Sequence, residues 1–92
     1  MFDNNLSKGQ IVISKAGRDR TKFFVVTEVV DEKHVLIVNG KQRLISNPKK
    51  KRCIHLQKTN YIINDIDKII SNELFADSTI RNELKKFSKD EQ

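Results

Sequence analysis

Apolar residues occur in short runs over the first sixty positions and at three- and four-residue intervals after that. The early runs are rich in β-branched residues and are separated by polar turn formers, a pattern typical of strands. Five strands are predicted, at residues 10–16, 22–30, 34–38, 41–45 and 53–59. Because tight turns join most of them, we expect a mainly β fold in which the strands form a small, strongly bent barrel. Residues 1–8 show little periodicity and are expected to be a loose lead-in.

The run at residues 22–30 is the candidate for the central strand. It combines Phe23 and Phe24 with four valines, so both of its faces are expected to be buried. Aromatic residues on strands also serve as stacking platforms for bases in RNA-binding sheets, which is the alternative role for one of these rings. Core packing is favoured for at least one of them, because the barrel has few other large residues to fill it.

The pair Asn39-Gly40 predicts a hairpin with a two-residue type I′ turn. The register of such a hairpin pairs three residues of one strand with three of the next, namely Val38 with Lys41, Leu36 with Arg43 and Val35 with Leu44. Side chains alternate along a strand, so the two basic residues among them are expected to point outward. Pro48 should end the fourth strand because it lacks a backbone N–H, which leaves the cations at 49–52 on a connection.

After residue 60 the apolar spacing changes to that of helices. The first predicted helix carries Ile62, Ile66, Ile69, Ile70 and Leu74. Asn64 or Asp65 is placed to cap it, and Asp77 or Ser78 to cap a second helix. The apolar stripe of that second helix consists of Ile80, Leu84 and Phe87. We therefore expect a barrel domain at residues 1–60 and a helical extension at 61–92 that folds back on it, the alternative being a docking helix for a protein partner.

The length and composition describe one small globular protein. The chain has 92 residues, of which 37% are hydrophobic and 33% charged, so it can bury one modest core and no roomy active site is expected. The N-terminus lacks the charged start, apolar middle and small-residue cleavage site of a signal peptide, and the apolar runs are too short to span a membrane. These features, with a single cysteine, predict a cytoplasmic location.

The positive charge is concentrated in the first part of the chain. Residues 1–60 hold thirteen Lys or Arg against five Asp or Glu, a balance of +8, whereas residues 61–92 hold five against seven, a balance of −2. Between residues 39 and 58 there are seven cations and no acid. Such a surface is best neutralised by a polyanion, although an idle, solvated basic surface is the alternative.

Cys53 and His55 lie two residues apart on one face of the predicted fifth strand, with Ile54 and Leu56 on the other. They suggest a nucleophile and a base, but no acid that could orient the histidine lies in this basic stretch. One cysteine and two histidines are also too few for a structural zinc site. We therefore expect no catalysis and no metal or other cofactor.

Several segments resemble known RNA-binding proteins. Three of them resemble the KOW motif of ribosomal and transcription-associated proteins, at residues 9–12, 15–20 and 24–26. Others resemble the small bacterial KOW-domain RNA-binding proteins, at residues 39–43, 47–51, 55–56 and 77–87. Those proteins are in turn similar to a group of archaeal and eukaryotic large-subunit ribosomal proteins. One departure is Thr21, which stands where a KOW turn often has a second glycine.

The resemblance implies an SH3-like barrel whose loops and basic edge hold structured RNA, most of all ribosomal RNA, in a ribosome-associated role. The candidate RNA-binding residues are Lys15, Arg18, Arg20, Lys22, Lys41, Arg43, Lys49, Lys50, Lys51, Arg52 and His55. Arginine suits forked phosphate contacts and lysine acts as a point charge, whereas His55 is as readily a plain surface residue. Gly17 and Gly40 are expected to shape turns. The alternative function is a protein-interaction module that docks on ribosomal or transcription proteins through the barrel edge or the C-terminal helix.

Overall fold

The computed structural model describes residues 6–91, with side chains through Ser88, so residues 1–5 of the predicted lead-in lie outside it. Five strands form one antiparallel sheet in the order β4-β3-β2-β1-β5. They are β1 Gln10–Ser14, β2 Phe23–Val29, β3 His34–Val38, β4 Lys49–Arg52 and β5 Leu56–Ile62. A single 3₁₀ turn at Cys53–His55 joins the last two strands, and the helices α1 Ile66–Ser71 and α2 Ala76–Glu91 follow. The predicted fold class, a small five-stranded barrel followed by helices, is confirmed.

Strand β2 is the central strand, as the sequence predicted, and residues 24–26 are buried on its two faces. Val29 and Val30, which were also expected to be buried, are 40% and 42% exposed. One face contributes to an inner cluster inside the curved sheet, which consists of Val12, Phe24, Val26, Val35, Ile37 and Leu56. The other contributes to an outer cluster beneath the helices, which consists of Ile11, Val25, Val38, Ile66, Ile80, Leu84 and Phe87. Consecutive residues of β2 therefore enter different clusters, which is why the strand is a continuous apolar run rather than an alternating one.

The helices fold back onto the outer face of the sheet. Phe87 of α2 packs edge-on against Phe23 at 5.1 Å between ring centroids and against Tyr61 at 4.6 Å. Phe24 is fully buried in the inner cluster, whereas Phe23 is partly buried against the outer cluster. Within residues 6–91, no helix has the length and apolar character needed to cross a membrane.

The predicted helix caps are found only in part, because Asp65 is the N-cap residue of α1 but α2 begins before Asp77 and Ser78. Asp65 occupies the position before α1 in a left-handed conformation, and its side chain makes no capping hydrogen bond. Helix α2 begins at Ala76, before both predicted caps. The Asp77 carboxylate instead accepts a hydrogen bond from the backbone N–H of Ile45 at 2.8 Å, and the Ser78 hydroxyl donates to the carbonyl of Phe75. The Asp77 carboxylate, which the sequence predicted as a possible helix cap, therefore binds a distant backbone N–H instead.

The predicted hairpin at Asn39-Gly40 is wrong. Strand β3 pairs with residues 49–52 rather than 41–45, with Val35 opposite Lys51, Leu36 opposite Lys50 and Ile37 opposite Lys49. The Asn39 side chain accepts hydrogen bonds from the backbone N–H groups of Lys41 and Arg43, both at 3.0 Å, and so holds a wider loop. An asparagine that bonds its own loop in this way competes with the two-residue turn.

Because β3 pairs with residues 49–52, the secondary structure of these residues and of residues 53–55 differs from the prediction. Residues 49–52 are the edge strand β4, not a connection, and their side chains alternate between the two faces of the sheet. Residues 53–55, predicted as the start of a strand, form the 3₁₀ turn instead. Ile54 and Leu56, which were predicted to share one face, are thereby separated: Ile54 faces solvent and is 63% exposed, whereas Leu56 is buried in the inner cluster.

Candidate nucleic-acid interface

A basic loop, residues 15–22, joins β1 to β2. Backbone hydrogen bonds close it, from Ser14 N to the Lys22 carbonyl at 3.0 Å and from Thr21 N to the Ser14 carbonyl at 2.8 Å. Gly17 has a φ of +85°, which shapes the turn as predicted and leaves its α-carbon exposed. The loop presents four exposed cations to solvent, namely Lys15, Arg18, Arg20 and Lys22.

Thr21 has a φ of +73°, in the left-handed region that favours glycine. This is the position where the sequence departs from the expected second glycine. The backbone therefore takes the conformation of a glycine turn even though the residue is β-branched. Holding a non-glycine residue there costs about 1–2 kcal/mol, which the closing hydrogen bonds of the loop must offset.

Asp19 anchors the basic loop from the inside. Its carboxylate accepts hydrogen bonds from the Ser14 hydroxyl at 2.7 Å and from the ammonium groups of Lys49 and Lys51 at 3.1 Å each. The Lys51 ammonium also donates to the carbonyl of Ala16 at 3.1 Å. Burial alone would raise the pKa of Asp19, but the bonds from Ser14, Lys51 and Lys49 outweigh it and hold that pKa well below its usual range. We call these contacts the Asp19 clamp.

The clamp places two of the predicted RNA-binding lysines against Asp19. Lys51 is only 8% exposed and bonds within the protein, so its ammonium is not presented to a ligand, and Lys49 is partly buried in the same ion pair. Both lysines lie on the inner face of β4 and tie that edge strand to the basic loop. The sequence contains a signal for this ion pairing, because Asp19 is the single acid between residues 4 and 27 and has several cations close to it in the chain.

The other predicted cations remain available at the surface. Within the described part of the chain, no carboxylate lies within 4.0 Å of the charged groups of Lys15, Arg18, Arg20, Lys22, Lys41, Arg43, Lys50 and Arg52. Lys50 and Arg52 are exposed on the outer face of β4, which the clamp holds next to the basic loop. The half-buried His55 is adjacent to that loop as well, because its carbonyl accepts a hydrogen bond from Lys15 N at 2.8 Å.

A second basic surface lies between the Asn39 loop and α2. It is a groove of about 610 Å³ with Phe23 and Leu84 among its walls. Among the residues whose side chains the structure describes, four cations and no carboxylate line it, and these are Lys22, Lys41, Arg81 and Lys85. We call it the α2 groove. The first two were predicted site residues, but the two from α2 were not. The spacing of residues 81, 85 and 88 could have indicated that they line one surface, because residues three and four apart lie on the same face of a helix.

The thiol of Cys53 is in an environment that makes it unreactive. Its side chain is half-buried against the inner cluster. Burial raises the pKa of the Cys53 thiol, and the negative charge of Asp31 raises it further, so the reactive thiolate is disfavoured. Among the described side chains, no three of His, Cys, Asp and Glu come together in a way that could hold a metal ion.

Comparison of the sequence with models of known protein families finds no family model that matches. Membership of the KOW family therefore stays a prediction from the resemblance of the quoted segments.

Proposed function

We propose that this protein is a cytoplasmic, KOW-type RNA-binding protein that associates with the ribosome or its precursors and contacts structured ribosomal RNA. The observation that carries the proposal is the set of exposed cations on the basic loop and on β4, which no described carboxylate neutralises. Double-stranded RNA hides most of its base edges, so a small barrel would contact phosphates, 2′-hydroxyls and overall shape rather than sequence.

The cations have two different roles, and both support this function. Lys49 and Lys51 neutralise Asp19 and hold the basic loop, while Arg18 and Arg20 project from it. A guanidinium can donate two parallel hydrogen bonds to one phosphate, so a loop fixed in this way presents forked donors in a set arrangement. Fixing the loop before binding lowers the entropy cost of association.

The test is binding of purified large-subunit ribosomal RNA on filters over a range of salt concentrations. About five phosphate contacts would give a slope of about −4 in a plot of log affinity against log salt concentration. The double variant Arg18→Glu/Arg20→Glu removes two contacts and adds repulsion, so the affinity should fall at least about tenfold near physiological salt. The matched control is Lys58→Glu/Lys68→Glu, which makes the same change in net charge at exposed lysines of β5 and α1.

Equal losses from the two double variants would mean that RNA responds to net charge alone and that the basic loop is not the site. Sedimentation of cell lysate through sucrose gradients supplies the cellular readout. The wild-type protein should migrate with large subunits or their precursors at low salt and leave them at high salt. Migration near the top of the gradient at both salt concentrations would contradict a stable ribosomal role.

A second candidate function is a protein-interaction module, favoured by one observation. Leu74 and Phe75, at the junction of α1 and α2, are 82% and 55% exposed. Adjacent exposed apolar side chains of this size often mark a protein contact. In that case ribosome association should resist high salt and survive Arg18→Glu/Arg20→Glu, but it should be lost in Leu74→Ser/Phe75→Ser.

A further inference from the structure

The α2 groove brings together cations from three separate parts of the chain. Lys22 comes from the end of the basic loop, Lys41 from the Asn39 loop, and Arg81 and Lys85 from α2. We propose that this groove binds backbone phosphates of the same RNA, so that the C-terminal helix forms part of the interface. The inference rests on the proposed function and extends it to a part of the chain whose net charge is negative.

The electrostatics of the groove favour an anionic occupant. Like charges that share a surface repel one another, and this repulsion destabilises the compact fold unless an anion relieves it. Elsewhere on α2 the Lys86 ammonium lies 3.3 Å from a carboxylate oxygen of Glu83, whereas Lys85, one residue earlier, has no such partner among the described residues. Among the described side chains, α2 thus leaves uncompensated charge on the side that faces the Asn39 loop.

Arg81 has a positioning role in the groove. One of its guanidinium nitrogens donates a hydrogen bond to the Gly40 carbonyl at 2.5 Å, which holds the side chain across the junction of loop and helix. A guanidinium has five N–H donors, so this bond leaves others that can reach a phosphate. The site is therefore partly assembled before any ligand arrives.

The shape of the groove points to a polymer rather than a small anion. Its volume of about 610 Å³ is far larger than one phosphate needs, and Lys22, Lys41 and Lys85 are exposed rather than enclosed. The Gln42 and Asn82 side chains along it carry amides that can donate to and accept from sugar hydroxyls. These are the contacts that a folded RNA backbone offers repeatedly along its length.

The groove is also continuous with the basic loop. Lys22 ends that loop, where its backbone N–H donates to the Asp19 carbonyl at 3.0 Å, and its side chain lines the groove. An RNA backbone that passes over Arg18 and Arg20 can therefore continue past Lys22 into the groove. The two basic surfaces form one path rather than two independent sites.

The test compares Lys41→Gln/Lys85→Gln with the control Lys68→Gln/Lys86→Gln in the filter-binding assay with large-subunit ribosomal RNA. All four lysines are exposed, so both double variants should fold. Removing two groove contacts should weaken binding about tenfold near 0.15 M salt and reduce the magnitude of the salt slope by about 2. The control should stay within about twofold of the wild-type protein.

A second measurement uses the unmodified protein. Acetylation of lysines by a small reagent, read by mass spectrometry, should show Lys41 and Lys85 protected when RNA is bound and Lys68 unprotected. If neither groove lysine is protected and Lys41→Gln/Lys85→Gln binds like wild type while Arg18→Glu/Arg20→Glu loses affinity, the groove inference is wrong and the proposed function stands. If the wild-type protein does not bind RNA, both are wrong.

Discussion

Replacing Asp19 by asparagine tests the clamp that holds the basic loop. Asparagine keeps the shape of the side chain but removes the charge that faces two ammonium groups, one of them on a lysine only 8% exposed. Removing one partner of a fully buried ion pair costs about 3–5 kcal/mol. Because Lys49 is partly solvated and the Ser14 bond can persist, we expect Asp19→Asn to lower the free energy of unfolding by about 2 kcal/mol.

Urea denaturation followed by circular dichroism measures this loss. For a small domain the free energy falls by about 1 kcal/mol per molar urea, so the midpoint should drop by about 2 M at neutral pH. The pKa of Asp19 is lower in the folded state than in the unfolded chain, so its stabilisation is fully present above about pH 4 and is lost as the pH falls below that. The difference between the wild-type protein and Asp19→Asn should therefore narrow in acid.

Lys51→Met provides the comparison for this experiment. It keeps the apolar stem packed and removes the charge, while Asp19 retains Ser14 and Lys49 as partners, so the loss should be about 1 kcal/mol. The double variant should lose less than the sum of the two single losses, because the partners contact each other. Additive losses, or a loss for Asp19→Asn that is equally large at pH 3 and pH 7, would refute the clamp.

Two further predictions concern residues with positive φ. Thr21→Gly should raise the free energy of unfolding by about 1 kcal/mol, seen as a higher melting temperature, because glycine takes a φ of +73° without strain. Gly40→Ala should lower it by about 3 kcal/mol, since a Cβ there meets the backbone carbonyl of Asp77 as well as the strain of a φ of +76°. Gly17→Ala is the matched control and should lose only about 1 kcal/mol, because its Cβ would have 3.7 Å to the nearest atoms. Similar losses at the two glycines would show that Gly40 does not contact α2 closely.

The local patterns were sufficient to predict most of the fold. The apolar run of β2 and the polar turn at Gly17 each depend on neighbouring residues, and both were predicted correctly. The spacing after residue 60 predicted two helices, but the first is shorter than expected, because Ile62 lies in β5 and Leu74 lies beyond the end of α1. The Asn39 loop was not predicted correctly, because its conformation depends on contacts far along the chain. The Arg81 guanidinium donates a hydrogen bond to the Gly40 carbonyl, and the Asp77 carboxylate accepts one from the Ile45 N–H. Neither contact can be predicted from the residues next to Asn39 in the sequence.

The candidate site was predictable to a smaller extent, for a related reason. In a run of adjacent lysines, the register of the strand decides which side chains are buried, and the predicted hairpin gave the wrong register. Lys51 therefore appeared to be a surface cation although it pairs with Asp19. Arg81 and Lys85 were overlooked because the net charge of residues 61–92 is an average that conceals which face of the helix each charge occupies.

The docking of α2 onto the barrel has a consequence for biosynthesis. A ribosome makes the strands first, so Ile11, Val25 and Val38 exist before the helix residues that complete their cluster. Until α2 is made, the nascent sheet exposes apolar side chains beside unpaired strand edges, which is the condition that favours aggregation and chaperone capture. Chains that stall before residue 76 should therefore be substrates for quality control rather than small functional barrels.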